Sequence, residues 1–155
     1  MNLRERLSKN FTLGELIKSN IATRLGIDNT PSPEVVENLR NVAMHILQPV
    51  RDWAGVPVVV SSGFRSPILN KEAKGSSTSQ HMTGNAVDFE IPGVSNYDVA
   101  AWIRDNLEFD QLILEFYTLG DPNSGWVHCS YVTNRPNRKE VRTIGKGINK
   151  LGLHK

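Results

Sequence analysis

The sequence predicts an α+β fold in which helices pack on one side of a mainly antiparallel sheet, within a single domain. Helical patterns dominate the first third of the chain, and short β-branched or apolar runs follow with brief links between several of them. This order favours an antiparallel sheet over a parallel α/β arrangement. The length of 155 residues suits one core, and 39% hydrophobic and 22% charged residues are ordinary for a globular protein.

The first part of the chain carries the predicted helices. Residues 12–15 have the capping-box pattern and open a short helix over 12–19. Ser32, as N-cap, and Pro33, at the first helical position, then begin the longest helix. Apolar residues at helical spacing predict its core face: Val35, Leu39, Val42, Ile46 and Trp53. Pro49 should kink or split this helix, because proline lacks a backbone donor.

Short apolar runs predict the strands. We expect them at residues 58–61, 86–91, 111–116, 126–132 and 141–144, with the third and fourth paired antiparallel. Residues 70–80 are polar and serine-rich, which indicates a loop. Residues 95–98 have a second capping-box pattern, which begins a helix with a defined apolar face: Val99, Trp102, Ile103 and Leu107. The glycine-spaced residues 145–155 are expected to be loosely held.

The net charge of +2 conceals an uneven distribution. Residues 1–132 hold 11 Lys/Arg and 15 Asp/Glu, whereas residues 133–155 hold seven Lys/Arg and one acidic residue. We therefore describe the single domain as a body, 1–132, and a basic C-terminal extension, 133–155, that is partly edge strand and partly flexible. The extension is expected to contact a polyanion, either an anionic wall polymer or an anionic lipid surface, and a solvated surface segment is the alternative. Specific nucleic-acid binding is disfavoured, because few aromatic residues and no recognised motif accompany this charge.

Further sequence features bear on location. The single cysteine, Cys129, excludes an intramolecular disulfide. The N-terminus is charged and no apolar segment follows it, so no secretory signal is predicted, and no run approaches the length of a membrane span. We expect a monomer that is cytoplasmic as synthesised and that reaches an extracellular substrate only after release or delivery.

Two imidazoles and one carboxylate form a candidate metal-ligand set. His81 and Asp88 lie seven positions apart with small residues between them, and His128 comes from the fourth predicted strand. Catalytic zinc commonly has three such protein ligands and an open fourth position. Spacing alone also allows a surface histidine, a turn aspartate and a strand histidine with no common role. Cys129 should point away from His128, because successive strand residues face opposite sides.

Around these residues the sequence resembles the zinc D-alanyl-D-alanine carboxypeptidase family, peptidase M15. The matching patterns are Ser-x-His-x-x-Gly-x-Ala-x-Asp at 79–88, Trp-x-His at 126–128 and Ser-Gly-Phe-Arg-Ser at 62–66. Residues 10–15 also resemble the N-terminus of the compact phage and bacterial branch of this family. The resemblance covers residues 10–132. It implies a zinc peptidase domain that holds one Zn²⁺ ion through three ligands, His81, Asp88 and His128.

The resemblance also implies roles for three further residues. Arg65 would stabilise the oxyanion of the tetrahedral intermediate, which suits its fixed fork of donors. Ser79 would hydrogen-bond the substrate, and Trp126 would wall the pocket. The alternatives are a surface or ion-paired arginine, an ordinary loop serine and a core tryptophan.

The sequence departs from the family pattern at the position of the general base. Many relatives carry a glutamate three residues before the last histidine, where this chain has Gly125. Glu115 is the leading replacement, because it ends an apolar strand that antiparallel pairing would bring toward His128. Asp121, in the connecting turn, is the second choice. The alternative for Glu115 is a strand-end residue paired with a surface cation.

The function that the resemblance implies is zinc-dependent hydrolysis of peptide bonds in peptidoglycan stem peptides that contain D-alanine, as a carboxypeptidase or an endolysin-like endopeptidase. Glu115 would take the proton from the attacking water and pass it to the leaving amine. The alternative is a zinc-binding protein without catalysis, such as a wall-binding or structural component of a phage particle. The glycine at position 125 is the feature that keeps this alternative open.

Overall fold

A six-stranded sheet forms the centre of the computed structural model, which describes residues 1–155. The strands in chain order are β1 (Arg6–Ser8), β2 (Phe11–Thr12), β3 (Val59–Ser62), β4 (Ala86–Glu90), β5 (Gln111–Glu115), β6 (Trp126–Ser130), β7 (Glu140–Gly145) and β8 (Ile148–Leu151). The sheet has the order β3-β4-β6-β5-β7-β8, and every pair is antiparallel except β5 with β7. Strands β1 and β2 form a separate antiparallel pair. The predicted α+β class is confirmed.

Most helices precede the central strands in sequence. They are α1 (Leu13–Ile17), α2 (Asn20–Leu25), α3 (Pro33–Val42), α4 (Gln48–Ala54), α5 (Pro67–Glu72) and α6 (Asn96–Asn106). Thr12 caps α1 with both bonds of the predicted capping box, and Ser32 caps α3. The sequence did not predict α2 or α5. No helix in the chain combines the length and the apolar character needed to cross a bilayer.

The irregularity predicted at Pro49 is present just before it. Helices α3 and α4 form one run that is interrupted by a π-helical turn at Ala43–Leu47, in which the Gln48 N–H reaches back to the Ala43 carbonyl. The extra residue shifts the following helical phase by about 100°. The prediction for Trp53 is therefore wrong: its side chain is 40% exposed and stacks on Trp102, with ring centroids 4.9 Å apart.

The sheet has a core-facing side and an open side. Alternate residues of β4, β5 and β6 are inaccessible to solvent and join the hydrophobic core: Val87, Phe89, Leu112, Leu114, Val127 and Cys129. Core residues of α3 and α6, such as Leu39 and Ile103, belong to the same cluster. Cys129 points away from His128 into the core, as predicted, and burial raises the pKa of its thiol. The intervening residues face the open side, as the period of two requires.

Four local predictions differ from the structure. The Ser95 side chain makes no N-cap hydrogen bond at the start of α6, so the second capping box is absent. Residues 70–80, predicted as a loop, include the end of α5 and the start of a 3₁₀ turn at Gln80–Thr83. The predicted final strand exists, but β7 lies inside the sheet between β5 and β8. Strand β8 itself occupies residues that we expected to be loosely held.

Candidate metal centre

The three candidate ligands come from two strands and one turn. Asp88 of β4 and His128 of β6 are directly opposite each other in the antiparallel register, so both side chains face the open side of the sheet. His81 lies in the 3₁₀ turn that precedes β4. Ser79 caps this turn by accepting a hydrogen bond from the His81 backbone N–H, and Gly84 ends it with φ +76°. The turn therefore directs His81 back over the strand pair.

The ligand atoms converge on one point. Oδ1 of Asp88 lies 2.9 Å from Nδ1 of His128 and 3.3 Å from Nε2 of His81. One ligand atom from each of the three residues lies within 4.8 Å of the others. Metal–ligand bonds of 2.0–2.1 Å in a tetrahedron place neighbouring ligand atoms about 3.3 Å apart. The donor types and separations therefore fit a zinc ion with small side-chain adjustments.

The orientation of His81 is fixed by its other ring nitrogen. Nδ1 lies 2.7 Å from the Gly63 carbonyl oxygen, so it carries the proton and donates. Nε2 faces the Asp88 carboxylate at 3.3 Å. The protonated ring donates to that carboxylate, whereas the neutral ring presents a lone pair that a cation between the two groups would accept. A carbonyl that orients a metal-binding histidine in this way is a common supporting interaction. Gly63 is required at this point, because a Cβ there would lie 2.1 Å from the Leu16 carbonyl oxygen.

The electrostatics of the centre favour an ionised Asp88. Burial alone would raise the pKa of this carboxyl. The hydrogen bonds and charges of His128 and His81 outweigh burial, so the pKa of Asp88 lies well below its usual value. All three candidate ligands are buried, with His81 only 2% exposed. A buried carboxylate that stays ionised is a suitable ligand for a divalent cation.

Arg65 stands beside the candidate ligands on the segment between β3 and α5. Its Nη2 lies 3.7 Å from Oδ2 of Asp88. The Nε–H donates to Ser62 Oγ at 3.1 Å, and Nη1 donates to Asn70 Oδ1 at 3.0 Å. Burial lowers the pKa of Arg65, while the nearby carboxylates of Asp88 and Glu115 oppose that shift. The guanidinium is thus held in place by two neutral acceptors and lines the cleft beside the three ligands.

Glu115 lies in the same cleft, which has a volume of about 480 Å³. It pairs with Trp126 across β5 and β6 and is therefore a diagonal neighbour of His128, on the same face. Burial raises the pKa of Glu115, and the negative charge of Asp88 raises it further. The charges of His128 and Arg65 and the indole N–H of Trp126 lower this pKa and offset part of the shift. The Trp126 N–H makes no hydrogen bond of standard geometry, although it is close enough to favour the carboxylate.

The backbone at position 125 explains why the base is not there. Gly125 has φ +68°, and a Cβ on it would lie 1.9 Å from the Glu115 carbonyl oxygen. A glutamate at this position would require the hairpin backbone to move. Asp121 is exposed in the hairpin connection and does not line the cleft, so the structure does not bring the second candidate base to the ligands.

The remaining predicted residues also line the cleft. Ser79 lies on its wall while its hydroxyl caps the turn of His81. Trp126 lies on the opposite strand and stacks on Phe116, with ring centroids 5.4 Å apart. The placement of both is compatible with contact to a bound substrate.

Sequence reasoning missed the residues that hold Arg65. Asn70 is 3% exposed and joins two segments, because its amide also donates to the Ser76 carbonyl. Gly75 lies against this pair: a Cβ there would be 2.1 Å from Asn70 Oδ1 and 2.6 Å from Arg65 Nη1. The available signal was a single asparagine in a helix beside a glycine-containing loop, which is too common a pattern to identify a role.

Comparison with known proteins bears on the same segment. The sequence model of a family described as peptidase M15 matches residues 9–130. The matched range contains the three candidate ligands, Arg65 and Glu115, and it ends before the basic C-terminal extension. No curated protein matches the chain.

Proposed function

The chain belongs to the peptidase M15 family of zinc metallopeptidases, and from this premise we propose that it hydrolyses D-alanine-containing stem peptides of bacterial peptidoglycan. The observation that carries the proposal is the presence of a three-residue metal-ligand set and an independent carboxylate in one cleft. Cleavage takes place as a carboxypeptidase or as an endolysin-like endopeptidase.

His81, Asp88 and His128 are the residues that would hold the zinc ion. Their donors are two imidazole nitrogens and a carboxylate oxygen, and these suit zinc in a site with an open position. Zinc in such a site supplies Lewis-acid chemistry, which polarises a peptide carbonyl and activates water near neutral pH. Nε2 of His81 and Oδ1 of Asp88 already face each other across that position.

Glu115 acts as the general base. It takes a proton from the attacking water and delivers it to the leaving amine. The pKa of Glu115 is raised, which brings it closer to the operating pH and makes the carboxyl a better acid for the second transfer. Arg65 binds the oxygen on which negative charge develops. It is suited to this because two neutral acceptors fix its position and leave part of the guanidinium facing the cleft.

A zinc-binding wall or phage structural protein without catalysis is the second candidate. The blocked position 125 favours it, because the usual location of the base is sterically closed. The carboxylate of Glu115 in the cleft favours the enzyme instead. The two proposals differ in turnover and not in zinc binding.

Turnover of purified peptidoglycan tests the proposal. The zinc-loaded chain should release peptide fragments or D-alanine, and Glu115→Gln should reduce the rate by about 10²- to 10⁴-fold with zinc content unchanged. Glu90→Gln is the matched control, because Glu90 ends strand β4 of the same sheet and does not line the cleft. Zinc bound at full occupancy with no cleavage by the unaltered chain would support the structural protein.

The basic extension supports a second element of the proposal, binding to an anionic wall polymer. Lys146 and Lys150 lie at the exposed β7–β8 hairpin, and neither forms an ion pair. Sedimentation with cell walls should be salt-sensitive and should weaken when both lysines are changed to glutamine. Equal sedimentation with walls stripped of anionic polymer would contradict this element.

A further inference from the structure

A second cavity adjoins the metal centre on the far side of His128. Its volume is about 490 Å³, and Ile113 is the one hydrophobic residue among the nine that line it. It shares Ser76, Ser79 and His128 with the cleft that contains Glu115. His128 therefore lies between two cavities, with Glu115 diagonally across β5 in one direction and Gln111 in the other.

Two arginines of the C-terminal extension line this second cavity. Arg135 and Arg138 both bind the buried carboxylate of Asp110, which accepts six hydrogen bonds in total. Arg138 contributes Nε, Nη2 and its backbone N–H, and Gln80 contributes one amide N–H. These four bonds already match the acceptor capacity of a carboxylate. Arg135 is therefore additional to what Asp110 requires.

The charges at this site do not balance. The carboxylate of Asp110 faces two guanidinium groups, whose side chains are 42% and 49% exposed. The nearby carboxylate of Glu140 is paired with a third guanidinium, that of Arg142. Each guanidinium has five N–H donors, and the bonds to Asp110 and to the Pro136 carbonyl leave some of them on each group without a partner. The cavity thus presents a net positive charge and unsatisfied planar donors, together with the hydroxyls of Ser76 and Thr78.

The sheet register gives the distance from the reaction centre to the Gln111 wall of this cavity. Gln111, which lines the cavity, is two residues along β5 from Ile113, the direct partner of His128. Two residues of strand span roughly 7 Å. An extended substrate covers that distance with about two residues. The anion that fits here belongs to a neighbouring residue of the substrate and not to the scissile bond.

We propose that Arg135 and Arg138, fixed by Asp110, form a carboxylate-binding subsite that selects acidic peptides for cleavage. The inference rests on the proposed function, because it assigns the second cavity to the same substrate. The recognised carboxylate is either the C-terminus of the peptide or an acidic side chain one or two residues from the cleaved bond. Guanidinium donors bind either group in the same paired geometry.

Matched substrates test the subsite. The probes are a synthetic stem peptide with free carboxylates, the same peptide amidated at its C-terminus, and the same peptide with its glutamate amidated. The zinc-loaded chain should cleave one amidated peptide with kcat/KM reduced by about 10- to 100-fold. Which amide is affected identifies the source of the carboxylate. In the Arg135→Gln variant, kcat/KM for the free-carboxylate peptide and for the amidated peptide should lie within about 2-fold of each other. A purely structural role of Arg135 would lower both values and keep their ratio.

Arg142→Gln is the control for the loss of positive charge nearby. Arg142 lies on β7, pairs with Glu140 and does not line the cavity, so this variant should keep the preference for the acid. Thermal unfolding of both variants reports whether the fold is retained. Equal cleavage of all three peptides by the unaltered chain overturns the subsite and leaves the proposed function intact.

Binding separates the two proposals if no peptide is cleaved. Calorimetric titration of the three peptides into the zinc-loaded Glu115→Gln chain measures their binding affinities without turnover. Tighter binding of the acid, lost in the Arg135→Gln/Glu115→Gln double variant, supports the subsite although the peptidase proposal has failed. Equal affinities, or no binding of any peptide, overturn the subsite.

Discussion

Asp88 and Asp110 are both buried aspartates, and both have a pKa held well below the usual value. Their partners differ. Asp88 has two imidazoles and a guanidinium at 3.7 Å, whereas Asp110 has two guanidiniums, an amide and a backbone N–H within 3.1 Å. Imidazole nitrogens can exchange a proton for a metal ion, and guanidinium groups cannot. A depressed carboxyl pKa therefore does not identify a metal site until its partners are known.

The largest expected effect is that of Asp88→Ala on zinc binding and activity. Removing one of three ligands should lower zinc affinity by at least about 100-fold and reduce hydrolysis to background. Zinc at 100 times the dissociation constant should stabilise the unaltered chain by about 2.7 kcal/mol and should not stabilise this variant. Competition with a metal chelator and thermal unfolding with and without zinc provide the measurements. Unchanged zinc affinity would remove Asp88 from the ligand set.

Asp110→Asn should have the opposite profile, with stability lost and zinc binding kept. The amide would leave two arginines without their anion, at a cost of about 2–4 kcal/mol, which is less than for a fully buried pair because the guanidiniums are nearly half exposed. Urea unfolding measures the loss. The pKa of Asp110 is lowered on folding, so its stabilisation is present above an unfolded pKa of about 3.9 and declines below it. The variant should therefore show a flatter fall in stability below about pH 4.

Unlike Asp88 and Asp110, Glu115 has a raised pKa. A base must be ionised to act, so kcat/KM should rise with pH through the Glu115 pKa, and this acid limb should lie above the usual glutamate range. The residual activity of Glu115→Gln should lack that limb. A pH–rate profile from pH 3 to 8 on a small peptide substrate makes the measurement. An acid limb that persists unchanged in the variant would assign it to another group.

The smallest expected effect concerns the Trp126 indole N–H. It favours the ionised form of Glu115, so Trp126→Phe should move the acid limb upward by a fraction of a pH unit. The phenyl ring should keep the stacking on Phe116, and thermal unfolding should change little. A downward shift would show that the indole opposes ionisation.

The sequence predicts the parts of this molecule that depend on local patterns. The period of two along β6 correctly places His128 and Cys129 on opposite faces, and capping residues mark the starts of α1 and α3. The ligand set is predicted by residue types in order along the chain together with the family resemblance, since spacing alone leaves it open. It could not come from propensity, because nothing local in the chain requires two distant strands to be neighbours.

The missed features depend on contacts between distant segments. Arg135 and Arg138 appear in the sequence as part of a basic tail, and only the folded chain places them on Asp110, 25 and 28 residues earlier. The burial of Trp53 was mispredicted because one π-helical turn changes the phase of everything after it. The parallel β5–β7 pair has no local signal either, since its strands are separated by β6.

The placement of the proposed base on β5, instead of at position 125, affects how the chain tolerates insertions. Because the proposed base stands on β5 and its nearest ligand on β6, their spacing is set by the strand register and not by the connection at residues 116–125. That connection can therefore change in length beyond Phe116 and before Gly125 without moving the reacting groups. It offers a site where new recognition elements can be inserted at the mouth of the cleft while the chemistry beneath stays the same.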